Sequence, residues 1–320
     1  LRSIIPFQKN QVKKSIFAGL LLAASAHASA CDLCGCSANS QYLGILPMQY
    51  KHFIGIQYNY YSFTASQPSP ADPQEMETGN AVTKNVQVWG RYSVNKNLQL
   101  LAFVPYREIY GIDEGQSYRN AGLGDVSVLA QYAVLRREAC DRKVTHLAFA
   151  GLGAKAPTGN NKGLTALEEE GLPNVQPGTG AWDGIVSVNY TAGLKKGGLN
   201  VDAAYTLTTA NNTNYKYGNK LNAGLMGFYK VAAKNITLLP QAGLRYDFVL
   251  KDYSDYQQRI LNHTSGGSIF FFSAGIQGYW KHFGARAIYS VPVSQNYVNG
   301  HVTAENRFEA GLFYLIKPSL

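Results

Sequence analysis

The chain has 320 residues, of which 46% are hydrophobic, 12% aromatic and only 15% charged, with 22 Tyr, 32 Gly, 3 Met and a formal net charge of +9. A soluble domain typically carries about a quarter charged residues, yet no stretch after residue 30 reaches the roughly 18 to 20 consecutive apolar residues of a membrane helix, which excludes a helical membrane protein. Part of the positive charge lies in Arg2, Lys9, Lys13 and Lys14. The remaining Lys and Arg are scattered, without a basic run or zinc-finger spacing, which argues against nucleic acid as a partner.

Lys13 and Lys14 precede the apolar run 15–24, and residues 25–30 (Ser-Ala-His-Ala-Ser-Ala) are the small residues a signal peptidase requires. Residues 1–30 therefore read as a secretory signal peptide cut after Ala30, with residues 1–11 as extra sequence upstream of an initiation at Val12. The leader sends the chain out of the cytoplasm.

Three thiols, Cys31, Cys34 and Cys36, open the segment 31–50, and Cys140 falls in an expected periplasmic turn, on the same side of the membrane. Three readings stay open. An oxidising periplasm favours disulfides, for instance Cys140 tethering the N-terminal segment across the barrel mouth. The same thiolates could hold copper or zinc as a metal gate or sensor. Cys31 could also be a lipidated N-terminus, although Ala28 replaces the usual leucine three residues earlier. No other cofactor is expected. Segment 31–50 reads as a periplasmic extension or an inward-folded plug, and 51–320 as the barrel.

From His52 onwards the chain breaks into segments of about ten residues with period-two alternation, which sends one set of side chains to lipid and the other to a lumen. In 52–61, Ile54, Ile56, Tyr58 and Tyr60 form one face and Gly55, Gln57 and Asn59 the other. Val86, Val88, Tyr92 and Val94 face out before a turn at 95–97, and Leu98, Leu100, Ala102 and Val104 return. That register puts Arg91 and Arg107 on the lumen face. Further strands are expected at 124–135, 144–155, 182–193, 199–208, 220–231, 236–249, 267–280, 283–294 and 304–316, where Arg245, Asp247, Arg286, Arg307 and Glu309 share parity with small or polar residues. Arg91, Arg107, Arg245 and Arg286 are the candidate lumen-lining residues, or they simply pair with acids across the lumen.

Connections alternate between short ones (near 95–97, 136–143, 194–198, 232–235 and 281–282) and long ones (near 62–82, 108–123, 156–181, 209–219, 250–266 and 295–303). Short periplasmic turns and long outer loops are the habit of outer-membrane barrels. The expected fold is thus all-β: an antiparallel up-and-down transmembrane barrel of about 12 strands with both ends in the periplasm. A soluble β-sandwich would use Tyr and Phe in a buried core instead, but the leader and the loop alternation favour the barrel.

Glu309, Gly311, Tyr314 and Ile316 resemble the C-terminal targeting signal by which the barrel assembly machinery reads such proteins, although Lys317-Pro-Ser-Leu320 follows where that pattern stops. Upstream, Gly122-Leu-Gly-Asp125, Pro157-Thr-Gly159 and Pro177-Gly-Thr-Gly180, with Pro105-Tyr-Arg107 before them, are similar to the ordered phrases of a family of outer-membrane transporters associated with the meta-cleavage pathway of phenol degradation. The cysteine-rich start resembles a branch of these barrels in Bacteroidetes-like bacteria. The resemblance implies a barrel that moves small, aromatic or hydrophobic compounds across the outer membrane. On physical grounds the phrases are rim punctuation, in which Gly122 and Gly124 permit tight re-entry, Asp125 caps backbone amides and Pro157 ends a strand. No lysine or helix follows that would make a phosphate loop.

The expected function is a selective channel or transporter in the bacterial outer membrane, with the lipid bilayer, the assembly machinery and a small solute as partners. Metal handling through the cysteines is the alternative. An enzyme is not expected, because His146, His263, His282 and His301 stand in unrelated contexts.

Overall fold

A computed structural model describes residues 52–68, 76–113, 116–137, 144–161, 176–254, 259–260, 265–297 and 300–316. The expected signal peptide, the segment 31–50 and all four cysteines lie outside the described residues.

Alternation of the kind seen in 52–61 satisfies the backbone only if each strand has a neighbour on both sides, because lipid offers no hydrogen bonds. The chain meets this by closing on itself. Strands β1 (His52–Pro68), β2 (Met76–Ser93) and β3 (Leu98–Asp113) run as consecutive antiparallel hairpins. The next stave is broken in two, β4 (Gln116–Leu123) and β5 (Ser127–Arg137), both paired with β3. Then come β6 (Val144–Lys155), β7 (Asp183–Leu194) and β8 (Gly197–Thr208). A short outer strand, β9 (Tyr215–Lys216), precedes β10 (Lys220–Tyr229) and its continuation β11 (Val231–Ala233). After β12 (Ile236–Val249), β13 (Tyr253–Ser254) and β14 (Arg259–Ile260) join β9 in a small outer sheet. The last staves are β15 (Gly267–Trp280), β16 (Phe283–Tyr297) and the broken pair β17 (Val302–Ala304) and β18 (Arg307–Ile316). β18 pairs with both β16 and β1, from His52↔Ile316 to Tyr60↔Phe308, which closes twelve antiparallel staves into a barrel.

The structure lengthens several expected strands at their outer ends. β1 continues to Pro68, β2 begins at Met76 and β3 runs to Asp113, where long loops were expected at 62–82 and 108–123. Beyond the membrane the hairpin no longer needs an apolar outer face, so pairing continues where alternation fades. The strand expected at 124–135 is β5, which starts only at Ser127 because residues 124–126 leave the ladder, and β4 adds an outer piece of the same stave where a loop was expected at 108–123.

Outward faces carry Ile54, Ile56, Val86, Val88, Val186, Val188, Leu244 and Leu312, all exposed. At the end that bears the short turns and the barrel's termini, Tyr92, Tyr132, Tyr229, Trp280, Phe283 and Tyr314 also face out. An aromatic girdle of this kind marks a membrane interface, and short turns mark the periplasmic end.

Inward, the lumen is layered. Tyr61, Phe63, Ala81, Ile269, Phe271, Tyr297, Val302 and Ala304 pack together in the outer half. Phe53, Trp89, Leu101, Phe103, Leu129, Ile185, Phe313 and Leu315 pack together toward the periplasmic half. Side chains from the neighbouring staves β18, β1, β2, β3 and β5, and from β7, meet in this second cluster, and Arg245 on β12 reaches Glu309 on β18 three staves away, so side chains cross the interior and narrow it.

Candidate permeation path and its rim

Between the two apolar layers the inward positions are mostly polar or charged, with the buried pair Met226 and Ile288 among them. Arg245 on β12 pairs with Glu309 on β18, its second nitrogen 3.3 Å from Oε2. Arg286 on β16 lies 3.8 Å from the same carboxylate and donates to Gln57 Oε1 at 2.8 Å. Arg307 pairs with Asp247, which also accepts from Asn222 Nδ2 at 2.7 Å. Every member except the half-buried Asn222 is at most 6% exposed. Removing one partner of such a pair strands a buried charge and costs about 3–5 kcal/mol, so the cluster fixes the lumen's middle layer.

The arginines also connect the layers. Arg307 stacks 3.8 Å from the Phe271 ring centre and 5.2 Å from Tyr61 in the outer cluster. Arg286 lies 5.9 Å from Trp89, and Arg91 5.2 Å from Phe53, in the inner one. A guanidinium is weakly hydrated and stacks on aromatic faces; it can therefore border an apolar layer where an ammonium would demand water.

The four arginines singled out in the sequence are all buried inward, but they do not form one site. Arg245 and Arg286 share Glu309. Arg91 sits among the inner aromatics. Arg107 belongs to the outer rim, where its Nη1 donates to Pro177 O at 3.0 Å. The sequence reading placed Arg307, Asp247 and Glu309 on the lumen side without naming them as candidates, and inward parity was the available signal.

At that rim the three sequence phrases converge on one carboxylate. Asp125 Oδ1 accepts from Gly159 N at 3.0 Å, and Oδ2 from Thr179 N at 2.8 Å and Thr179 Oγ1 at 2.7 Å. Lys155 lies 2.9 Å from Asp125 and 2.7 Å from Asp183, and its ammonium also contacts Thr179 Oγ1. Lys155 and Asp183 are direct cross-strand partners on β6 and β7. Gly159 and Gly178 face each other so closely that a Cβ on either would come within 2.6–2.7 Å of the other's Cα. The phrases thus form a clasp that ties both ends of the β6–β7 connection to the break between β4 and β5. Burial alone would raise the Asp125 carboxyl, but the Lys155 ammonium and the hydrogen bonds from Thr179 hold it below its ordinary value. The sequence reading gave Asp125 a local capping role, held Thr179 only as part of a rim phrase, and missed Lys155 and Asp183.

The histidines are dispersed. His146 Nδ1 lies 2.7 Å from Tyr190 Oη, His282 stands beside Tyr314, and His301 contacts the Ser66 carbonyl, while His263 lies outside the described residues.

A closed twelve-stave barrel with an apolar, girdled exterior is an outer-membrane barrel, and the chain is a protein of the bacterial outer membrane. Its fold is similar to that of an outer membrane channel from Pseudomonas putida F1, with a TM-score of 0.61 and 14% identity over 85% of this chain and all of that one. More distant likenesses include the beta domain of the Bordetella autotransporter Brka (TM-score 0.48, 12% identity, 83% of this chain and 99% of that one) and the transport unit of the autotransporter AIDA-I from Escherichia coli (0.45, 11%, 88% and 95%). No protein-family model and no curated protein matches the chain. The link to phenol degradation and the cysteine-rich branch therefore stay with the sequence resemblance alone.

Proposed function

We propose that this barrel is a selective outer-membrane transporter for small aromatic or hydrophobic solutes. The layered lumen carries the reading. General porins line their channels with polar groups around water, whereas here two inward clusters of aromatic and aliphatic side chains flank a charged middle layer. A polar solute gains nothing from those clusters and loses water there. An aromatic solute exchanges water for ring and guanidinium faces. The fold shared with an outer membrane channel supports the same reading, as do the sequence phrases at the rim. Arg245 and Arg286 would line the passage, with Glu309 between them.

The test is flux into proteoliposomes of two zwitterions of similar size, phenylalanine and glutamine, neither of which crosses a bilayer readily. Phenylalanine should enter about tenfold faster or more than glutamine. Equal rates for both would identify a general polar pore and overturn the proposal.

A further inference from the structure

The outer wall near the periplasmic end is not smooth. A groove of about 720 Å³ runs down the lipid-facing surface where β12, β15, β16, β18 and β1 meet, between Ile54, Leu238, Trp280, Phe283, Leu312 and Tyr314. Gly278 and Ala285 form part of its floor, and their small size makes the hollow. Almost nothing polar lines it, so within the membrane it suits hydrocarbon.

The rim beside it is cationic. The four described periplasmic turns are Asn95-Lys96-Asn97, Lys195-Lys196, Lys234-Asn235 and Lys281-His282. Each carries an exposed lysine and none carries an acid. Two of these turns flank the groove directly: Ile236, next to the first, pairs with Trp280, next to the second, and both residues line the hollow. The Lys281 ammonium lies 5.3 Å from the centre of the Trp280 ring. Lys234 and Lys281 also adopt positive φ, 43° and 53°, in two-residue hairpin turns that ordinarily use Gly, Asn or Asp there. The chain thus keeps a lysine at each of two adjacent positions where backbone geometry disfavours one.

We infer that this groove and its two lysines form a binding site for an anionic phospholipid of the inner leaflet, with an acyl chain along the groove and the headgroup phosphate between Lys234 and Lys281. The periplasmic rim lies at the depth of inner-leaflet headgroups, and lysines there attract anionic lipid. An apolar hollow ending in two ammonium groups is complementary to a lipid with one tail in the hollow and a negative headgroup above it. The site is on the outside of the wall and is independent of the passage through the lumen.

Native mass spectrometry of the purified full chain tests this, with phosphatidylglycerol and phosphatidylethanolamine of identical acyl chains as probes. One phosphatidylglycerol should be retained per barrel, about tenfold in preference to phosphatidylethanolamine. Lys234→Gln and Lys281→Gln should each reduce that preference about fivefold. Ala285→Leu should reduce retention of both lipids by filling the floor, while Lys96→Gln, on a turn away from the groove, should change nothing. Several results would overturn the site: equal retention of the two lipids, an effect of Lys96→Gln as large as that of the groove lysines, or a dimer whose contact covers the groove.

Discussion

Glu309 shows how much one inward residue can carry in a barrel this narrow. Its carboxylate holds Arg245 and Arg286 while the neighbouring Arg307 is held by Asp247. Glu309→Gln keeps the shape but removes the charge that Arg245 and Arg286 share, and should destabilise the barrel by about 3 kcal/mol. The measurement is the temperature at which the compact folded band converts to the unfolded one on a gel; an unchanged transition would show that the pair contributes nothing. Two acids outside the membrane should respond to pH with opposite signs. Asp125 is held below its ordinary value, so the stability it lends the clasp is complete near neutral pH and is lost as pH falls through that lowered value. Asp252, between β12 and β13, is fully buried, and burial raises its carboxyl despite hydrogen bonds from Tyr215 Oη at 2.6 Å and Gly218 N at 2.5 Å. Its contribution is present below the ordinary carboxylate value and declines as pH rises through the raised one. Hydrogen exchange at the Gly159 and Thr179 amides, corrected for the intrinsic rate, should accelerate on acidification. The Gly218 amide should instead become less protected as pH rises from about 4, the ordinary carboxylate region.

At the scale of the element, the clasp depends on two glycines whose backbones touch. Gly159→Val or Gly178→Val would place side-chain atoms inside the facing chain, whereas a Cβ at Gly227 meets nothing closer than Ala242 O at 3.7 Å. Limited proteolysis of the outer face should therefore be much faster in either valine variant and unchanged in Gly227→Ala. Equal protection in all three would mean that the clasp does not hold the loops. The same element shows where sequence reading stops. Period-two alternation placed β6, β12 and β15 within a residue or less of their observed bounds, because lipid enforces an apolar outer face along their whole length. It lost the outer ends of β1, β2 and β3, where the outward positions carry Thr64, Asn80 and Glu108 instead of an unbroken apolar face. It also treated Asp125, Gly159 and Thr179 as separate loop features, because nothing in their spacing shows that the break at 124–126 and both ends of the β6–β7 connection meet at one carboxylate. Lys155 and Asp183 were accessible in principle, since each ends a stave at an inward position.

For the whole molecule, the closed ring of twelve staves was legible because loop lengths alternate with strands, and the outer-membrane location because the expected leader and the pattern of the last strand point the same way. The layering of the lumen was not legible. Inward parity identified Arg245, Arg286 and Gln57 as lumen residues but could not show that Phe53, Trp89, Phe103 and Phe313 converge from separate staves. That convergence depends on barrel shear and stave order, which no local pattern records. Selective passage depends most heavily on this narrow, aromatic-lined interior. It is tested most directly by single-channel recording of the barrel in planar bilayers with a neutral aromatic alcohol added to the bath. The predicted result is small, discrete conductance steps that the aromatic alcohol interrupts and a sugar of similar size does not. Large steps indifferent to both solutes would contradict it.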